Sequence, residues 1–283
     1  MKRILHNLYK MTAAALAVAL LLSSVSATFL GNWLKKNQLE LSDTAYLTHG
    51  TLLMTGKTTK QTESIIEYQP DPAVSPIVAF GTTLYGRSTI DYVRQHLESK
   101  GKTVVAGVNA SFFDMATGIP LGCEITEGLL RCSGDTQSVG FRSDGTAVIG
   151  KPGVSIDITY PNGKTSNVHY NKMLTKSNGI VLYSRDFDTK TKNTISAYNV
   201  VLQPERGTLA PNDAITATVT NIVKDAKSCD IPDGGMVLSV ATETEFANTM
   251  AERIMTLKTG DTITVQTKTA EDWTCLLYTS RCV

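Results

Sequence analysis

From Val105 the chain reads Val105-Ala106-Gly107-Val108-Asn109-Ala110-Ser111-Phe112-Phe113-Asp114, followed by Thr117-Gly118-Ile119-Pro120-Leu121-Gly122. A β-prone apolar run ends there in an amide, small residues, two aromatic rings and a carboxylate. Strand ends that feed polar loops are usual places for ligand-facing side chains. Asn109 offers both a donor and an acceptor, Phe112 or Phe113 a flat face for a sugar ring, and Asp114 a charge. The same residues also read as a turn made by Asn109 and Asp114 over a core made by the phenylalanines. Residue type alone favours that plainer reading.

Other chemistries are poorly served. Lys plus Arg number 27 against 26 for Asp plus Glu, a net charge of +1. With no basic stripe carrying interleaved aromatics, that balance argues against nucleic acid as a partner. His49, His96 and His169 are scattered and none accompanies a nucleophile motif. Gly-x-Ser-x-Gly is absent, as are Cys-x-x-Cys and any Cys/His cluster, so neither a serine hydrolase of that type nor a zinc site is expected. Asn109-Ala110-Ser111 matches a glycosylation sequon, but its place in a candidate site argues against that use. Cys123 and Cys132 flank a run that turns at Glu127-Gly128. A regular hairpin there sets the two sulfurs directly opposite, within reach of a disulfide in an exported chain, or as two small apolar residues.

The elements that must position these residues follow from pattern. The 42% hydrophobic content, with 19% charged residues, is enough to bury a core. From Ser42 to about Ala79, short apolar stretches broken by Pro70, Pro72 and Pro76 read as strands and turns. Ser88 with Asp91 starts a helix whose Ile90, Val93 and Leu97 share one face, and Lys100-Gly101 ends it. A buried strand is expected at Thr103–Val108. Hairpin turns are expected at Glu127-Gly128, Asp144-Gly145 and Asn162-Gly163. Further strands are expected at Ile180–Tyr183, Tyr198–Leu202, Ile215–Val223 and Thr262–Thr267, with a second helix from Glu243 to Leu257. With no linker and no repeat, the fold class is α+β: a single sheet-dominated domain with a few helices over 42–274, preceded by an N-terminal signal or anchor helix.

That leader rests on Lys2, Arg3 and Lys10 ahead of an apolar run, Met11 to Leu22, and then Val25-Ser26-Ala27. A positive flank, a short apolar core and small residues at a cleavage position mark a secretory signal. Residues 1–34 therefore read as a signal peptide or a membrane anchor. Met11 to Leu34 carries no charge, long enough to anchor, although Ser23, Ser24, Ser26, Gly31 and Asn32 dilute it and tilt the reading towards cleavage. In both cases the domain lies outside the cytoplasm. At the other end, Cys275-Leu276-Leu277-Tyr278-Thr279-Ser280 looks like the translation of a transposon adapter used in sequencing libraries. Residues 275–283 are accordingly read as foreign to the domain, and Cys275 and Cys282 as without functional meaning.

The Val105–Asp114 block, the Thr117–Gly122 block, the hairpin ending in Glu127-Gly128, and Gly140-Phe141 ahead of Asp144-Gly145 resemble the phosphodiester glycosidase family in order and spacing. Ile231–Ser239 and the turn Leu257–Asp261 look like later landmarks of the same family. The resemblance covers roughly Leu47 to Trp273. It implies hydrolysis of a sugar 1-phosphodiester in envelope or extracellular polysaccharide, leaving a phosphomonoester, with a glycan or sugar phosphate as partner. It implies that Asn109 and Phe113 line the site and that Gly122 and Gly128 shape its hairpin; Asn109 and Asp114 are taken as the catalytic candidates, Phe113, Gly122 and Gly128 as the substrate-binding ones, and no metal is assigned. Ala110-Ser111 departs mildly from the glycine-containing pair common in the family. Glu124 falls where the family is apolar and is given no catalytic role. The family's Gly-Gly-Pro segment and its Asp-Gly-Gly-Gly-Ser motif are absent from these 283 residues, which therefore read as an incomplete, inactive fragment of an active parent. The alternative is a non-catalytic envelope module that binds glycan.

Overall fold

The computed structural model describes residues 31–54, 59–69, 71, 74–142, 144–175, 179–242, 252–270, 273 and 276–281. Sheets dominate it. The expected leader, residues 1–30, lies outside the described residues. Among those described, no helix is long and apolar enough to cross a membrane. Residues 31–34, read from sequence as the end of the leader, lie in a strand, Gly31 to Ser42, that pairs with the strand that follows through two irregularities in register.

The chain divides after Gln69 into two compact units. The first is an antiparallel meander of β1 (Gly31–Ser42), β2 (Ala45–Met54) and β3 (Lys60–Tyr68), with β2 in the middle. A bulge between Trp33 and Lys35 brings the Lys35 carbonyl against Gly50, where a Cβ would lie 2.0 Å from that oxygen. Only glycine fits under this bulge.

The second unit is built on an eight-stranded sheet. Its strands are β8 (Ser155–Thr159), β9 (Thr165–Asn167), β10 (His169–Tyr170), β11 (Ile180–Ser184), β12 (Ala197–Pro204), β13 (Ala214–Ala226), β14 (Met236–Ala241) and β15 (Thr262–Lys268). They run in the order β10-β11-β14-β12-β13-β15-β8-β9. The two edges, β9 and β10, are successive pieces of one extended segment that turns at Val168, so the sheet curls into a nearly closed barrel. Its neighbours are antiparallel except β10 and β11, which are parallel. The exception is required. With β9 and β10 sharing one place, an odd number of strands goes round the barrel, and alternation must fail once.

Burial follows position. Along β13 and β15 buried and exposed residues alternate, with Ile215, Ala217, Val219, Ile263 and Val265 pointing into the barrel. Strands β11 and β14 are buried at every residue. Their second face, with Val181, Tyr183 and Val237, packs against an outer layer that contains Leu84, Ile119, Cys132, Leu174 and Phe187. That is why the sequence shows continuous apolar runs for these strands and alternation in β15 and in the first part of β13. All four strands expected from residue 180 onward are present. The helix expected at 243–257 lies mostly outside the described residues, and its last part, 252–255, is helical.

Asn171, directly after β10, holds the junction of barrel and outer layer. It is fully buried with φ at 51°. Its Nδ2 donates to the Arg131 carbonyl at 2.7 Å and to Ser184 Oγ at 2.9 Å, while its Oδ1 accepts from the Ser184 amide at 2.9 Å. Asn171→Ala leaves several buried groups unpaired, each costing about 1–3 kcal/mol. Urea unfolding is expected to show a loss of at least that size. A change below about 0.5 kcal/mol, the range of an ordinary surface substitution, would contradict this role.

A second, five-stranded sheet consists of β4 (Glu124–Thr126), β5 (Leu129–Cys132), β6 (Ser138–Arg142), β7 (Ala147–Gly150) and β16 (Leu276–Arg281), ordered β5-β4-β16-β6-β7. Here β16 pairs through its backbone with β4 and β6. Ladder bonds belong to the main chain and are made by any extended segment, so this pairing is independent of where residues 275–283 originate.

Candidate functional site

The helix before the candidate block is α1 (Ile90–Ser99). Its N-cap is Thr89, one residue later than the Ser88 expected from sequence, and Thr89 Oγ1 accepts from the Tyr92 amide at 3.2 Å. Gly101, at φ 81°, follows the helix end as expected. No residue of α1 is buried, although a Cβ at Gly107 would lie 3.2 Å from Ile90 Cδ1.

The buried strand expected at Thr103–Val108 is absent. That segment forms no strand, and Val105 and Val108 are 40% and 75% exposed. The apolar run has the composition of a strand but no described strand lies beside it, and β structure exists only as pairs. Asn109 is exposed at its end, and Phe112 and Phe113 are about half-exposed.

Beyond it the chain doubles back. The Leu121 amide donates to the Phe112 carbonyl at 2.8 Å, the Asp114 amide to Ile119 at 2.9 Å, and Phe113 bridges Pro120. Asp114 Oδ1 accepts from the Thr117 hydroxyl at 2.9 Å and from the Thr117 and Ala116 amides at 2.8 and 3.0 Å. The Thr117 hydroxyl, with these amides, holds the carboxyl below its ordinary range. Asp114 thus builds the turn. Next to it a shallow depression is lined by Thr83, Tyr85, Arg87, Ser88, Thr89 and Tyr92, and the Gly86 amide ties it to the Thr117 carbonyl at 2.7 Å.

The hairpin β4–β5 turns where expected, with Glu127 and Gly128 both at positive φ (56° and 71°), a type I′ turn. Its register differs from the regular one. A bulge between Glu124 and Ile125 sets Glu124, not Cys123, opposite Cys132. One residue of slip flips a strand's faces. Cys132 consequently turns to the outer layer while Cys123 lies in the barrel core with Ile125, and the two form no disulfide. The expected juxtaposition of the two sulfurs is therefore corrected.

The extra residue of the bulge, Arg131, lies in β5 and brings Cys132 opposite Glu124, whose own buried side chain meets Ser111 of the Asn109–Asp114 segment. Glu124 is 5% exposed. The Ser111 hydroxyl bonds its carboxyl, and its Oε2 has no hydrogen-bond partner among the described residues. Burial pushes the carboxyl up to about 7 against the opposing influence of Lys172 and Ser111. Lys172 Nζ donates to the Pro120 carbonyl, to the Gly122 carbonyl at 2.9 Å and towards Cys132 Sγ at 3.7 Å. Burial pushes the Cys132 thiol up to about 11, so it stays a thiol. His169 is held below its ordinary value by burial and by that ammonium.

The structure therefore places Asn109, Phe113 and Asp114 on one segment, joins Gly122 to it through Lys172, and leaves Gly128 at the far end of the hairpin. Sequence reasoning missed Glu124, Ser111 and Lys172. The available signal was a carboxylate inside a short strand of otherwise buried residues. Among the described residues no group of three or more His, Cys, Asp or Glu could hold a metal ion.

No protein-family model matches this chain, and no curated protein matches it in sequence. Its fold is similar to that of a hypothetical protein from Synechocystis known from a crystal structure, with a TM-score of 0.66 and 14% identity over 88% of this chain. The match spans 44% of the Synechocystis protein, less than half its length. At that identity the likeness is one of fold.

Proposed function

We propose that this chain carries one wall of a site that hydrolyses sugar 1-phosphodiesters in an exported protein acting on envelope or extracellular polysaccharide. The observation that carries the reading is a buried carboxyl, that of Glu124, with an unpartnered oxygen, bonded by Ser111 of the segment that exposes Asn109, Phe112 and Phe113. The rings offer faces to a sugar, Asn109 offers an amide to its hydroxyls, and Arg87 lies in the adjoining depression among hydroxyl groups suited to a phosphodiester anion. The leaving phosphomonoester is stable as an anion, its second pKa near ~6, so the site needs little acid catalysis. The motifs Gly-Gly-Pro and Asp-Gly-Gly-Gly-Ser are absent from the 283 residues, so the activity is assigned to the full-length gene product.

The test uses a sugar 1-phosphate ester of a chromogenic alcohol and reads free sugar and phosphomonoester separately. The full-length product is expected to release both in equal amounts and the 283-residue chain neither. Turnover by the short chain at the full-length rate would contradict the assignment. The exposed phenylalanines also suit a second reading, a glycan-binding module without chemistry. Saturable glycan binding with no turnover would favour it. Export is tested by fusing residues 1–40 to a reporter active only outside the cytoplasm, and a signal no higher than a leaderless control would exclude it.

A further inference from the structure

We infer that Glu124 is the proton acceptor of this hydrolysis and that the Ser111 hydroxyl connects it to the site; the inference rests on the glycosidase reading above. The case begins with elimination among the acids of this region. Asp114 spends Oδ1 on its own turn. Glu127 is exposed, at 3.5 Å from Lys102 and 3.9 Å from Arg131, and Asp186 is paired with Arg131 at 3.0 Å. Glu124 alone among them is buried with an oxygen left over. Such an atom is costly to keep unless it has a use, since buried polar groups are otherwise paired. Opposite it, the β5 bulge breaks the regular hairpin register and turns Cys132 towards it, and bulges are common beside sites.

Burial keeps Glu124 out of contact with a sugar, but Ser111 is only partly buried and lies two residues after Asn109. The hydroxyl can thus stand between. Water attacks the anomeric carbon, forming the new C–O bond. The bond from that carbon to the phosphate oxygen breaks, and its electron pair leaves with the phosphomonoester. The proton of the attacking water passes to Ser111 Oγ as the Ser111 proton passes to Glu124. No other reactant is consumed. Besides Ser111, two groups act on the carboxyl. The Lys172 ammonium favours its ionised form, and the Cys132 thiol stays neutral; His169 is held low by burial and by Lys172. The ionised carboxylate is the active form, so the rate should rise with pH through the carboxyl's own titration, which burial places near 7.

Two measurements test this. Infrared difference titration of the 283-residue chain should show a protonated carboxyl, lost in Glu124→Gln, that ionises near neutrality. Ionisation complete below pH 5 would overturn the inference whatever the substrate. In the full-length product, Glu124→Gln should lower kcat by about 10²–10⁴-fold and abolish the rising limb of the pH profile. Ser111→Ala should lower kcat comparably while the infrared signal of the carboxyl persists and its titration moves upward, an effect that a hydroxyl not bonded to Glu124 would not show. An unchanged limb in Glu124→Gln would overturn the inference while leaving the glycosidase reading intact. No turnover by the wild-type full-length product on any sugar 1-phosphodiester would end both, although the titration would still describe the carboxyl.

Discussion

In the full-length gene product, Asn109→Ala is expected to lower kcat by about 10²–10³-fold, the loss that follows removal of one preorganised donor to developing charge. Two observations support an effect on chemistry rather than on folding. Asn109 is exposed, so its truncation opens no cavity, and it sits at the end of a segment that makes no ladder bonds of its own. Thermal unfolding should therefore shift by no more than an ordinary surface substitution, within about 0.5 kcal/mol. An unchanged kcat would return Asn109 to the plainer role of a turn residue. A large loss of stability with an unchanged kcat would show that its amide serves the loop.

Gly118→Ala is expected to produce the largest loss of stability among the site-forming glycines. Gly118 has φ at 79°, where a side chain is strained, and a Cβ there would lie 1.9 Å from the Gly86 carbonyl oxygen. Neither atom is the far end of a flexible side chain, so the backbone itself must move. Backbone strain of ~1–3 kcal/mol and overpacking of similar size together give roughly 2–6 kcal/mol. The two loops in contact are the Asp114 turn and the depression holding Arg87, tied by the Gly86–Thr117 bond at 2.7 Å. Gly118→Ala should therefore also weaken sugar-phosphate binding by the full-length product. Gly128→Ala is the contrast. It shares the positive φ, but nothing lies within 4 Å of its Cβ position, so only the strain component applies. Equal losses in the two variants would show that the loop contact at Gly118 gives way freely.

Much of this architecture was legible because it is local. Glu127-Gly128, Asp144-Gly145 and Asn162-Gly163 carry the turn chemistry of hairpins, and each turn contains a glycine at positive φ. The apolar runs at 180–184 and 236–241 and the alternation in 214–220 follow from burial on two faces or on one. What was not legible depends on distant parts of the chain. Thr103–Val108 has the residues of a strand, yet pairing is decided by a partner. The face shown by Cys132 is set by a single-residue bulge, which turn residues alone do not announce. Closure of the barrel depends on Val168 bending one short segment so that it serves both edges. Glu124 was passed over because comparison by residue type made it an exception within an apolar strand. Its burial, and the approach of Ser111 and Lys172, exist only once those three segments meet.

The central claim, cleavage at the sugar carbon rather than at phosphorus, is tested most directly by hydrolysis in ¹⁸O-enriched water. The full-length product acts on a sugar 1-phosphodiester, and the phosphomonoester is examined by mass spectrometry. The account predicts a phosphomonoester free of label, because water attacks the anomeric carbon and the bridging oxygen leaves with phosphorus. A phosphomonoester carrying one ¹⁸O would place the attack at phosphorus and contradict it.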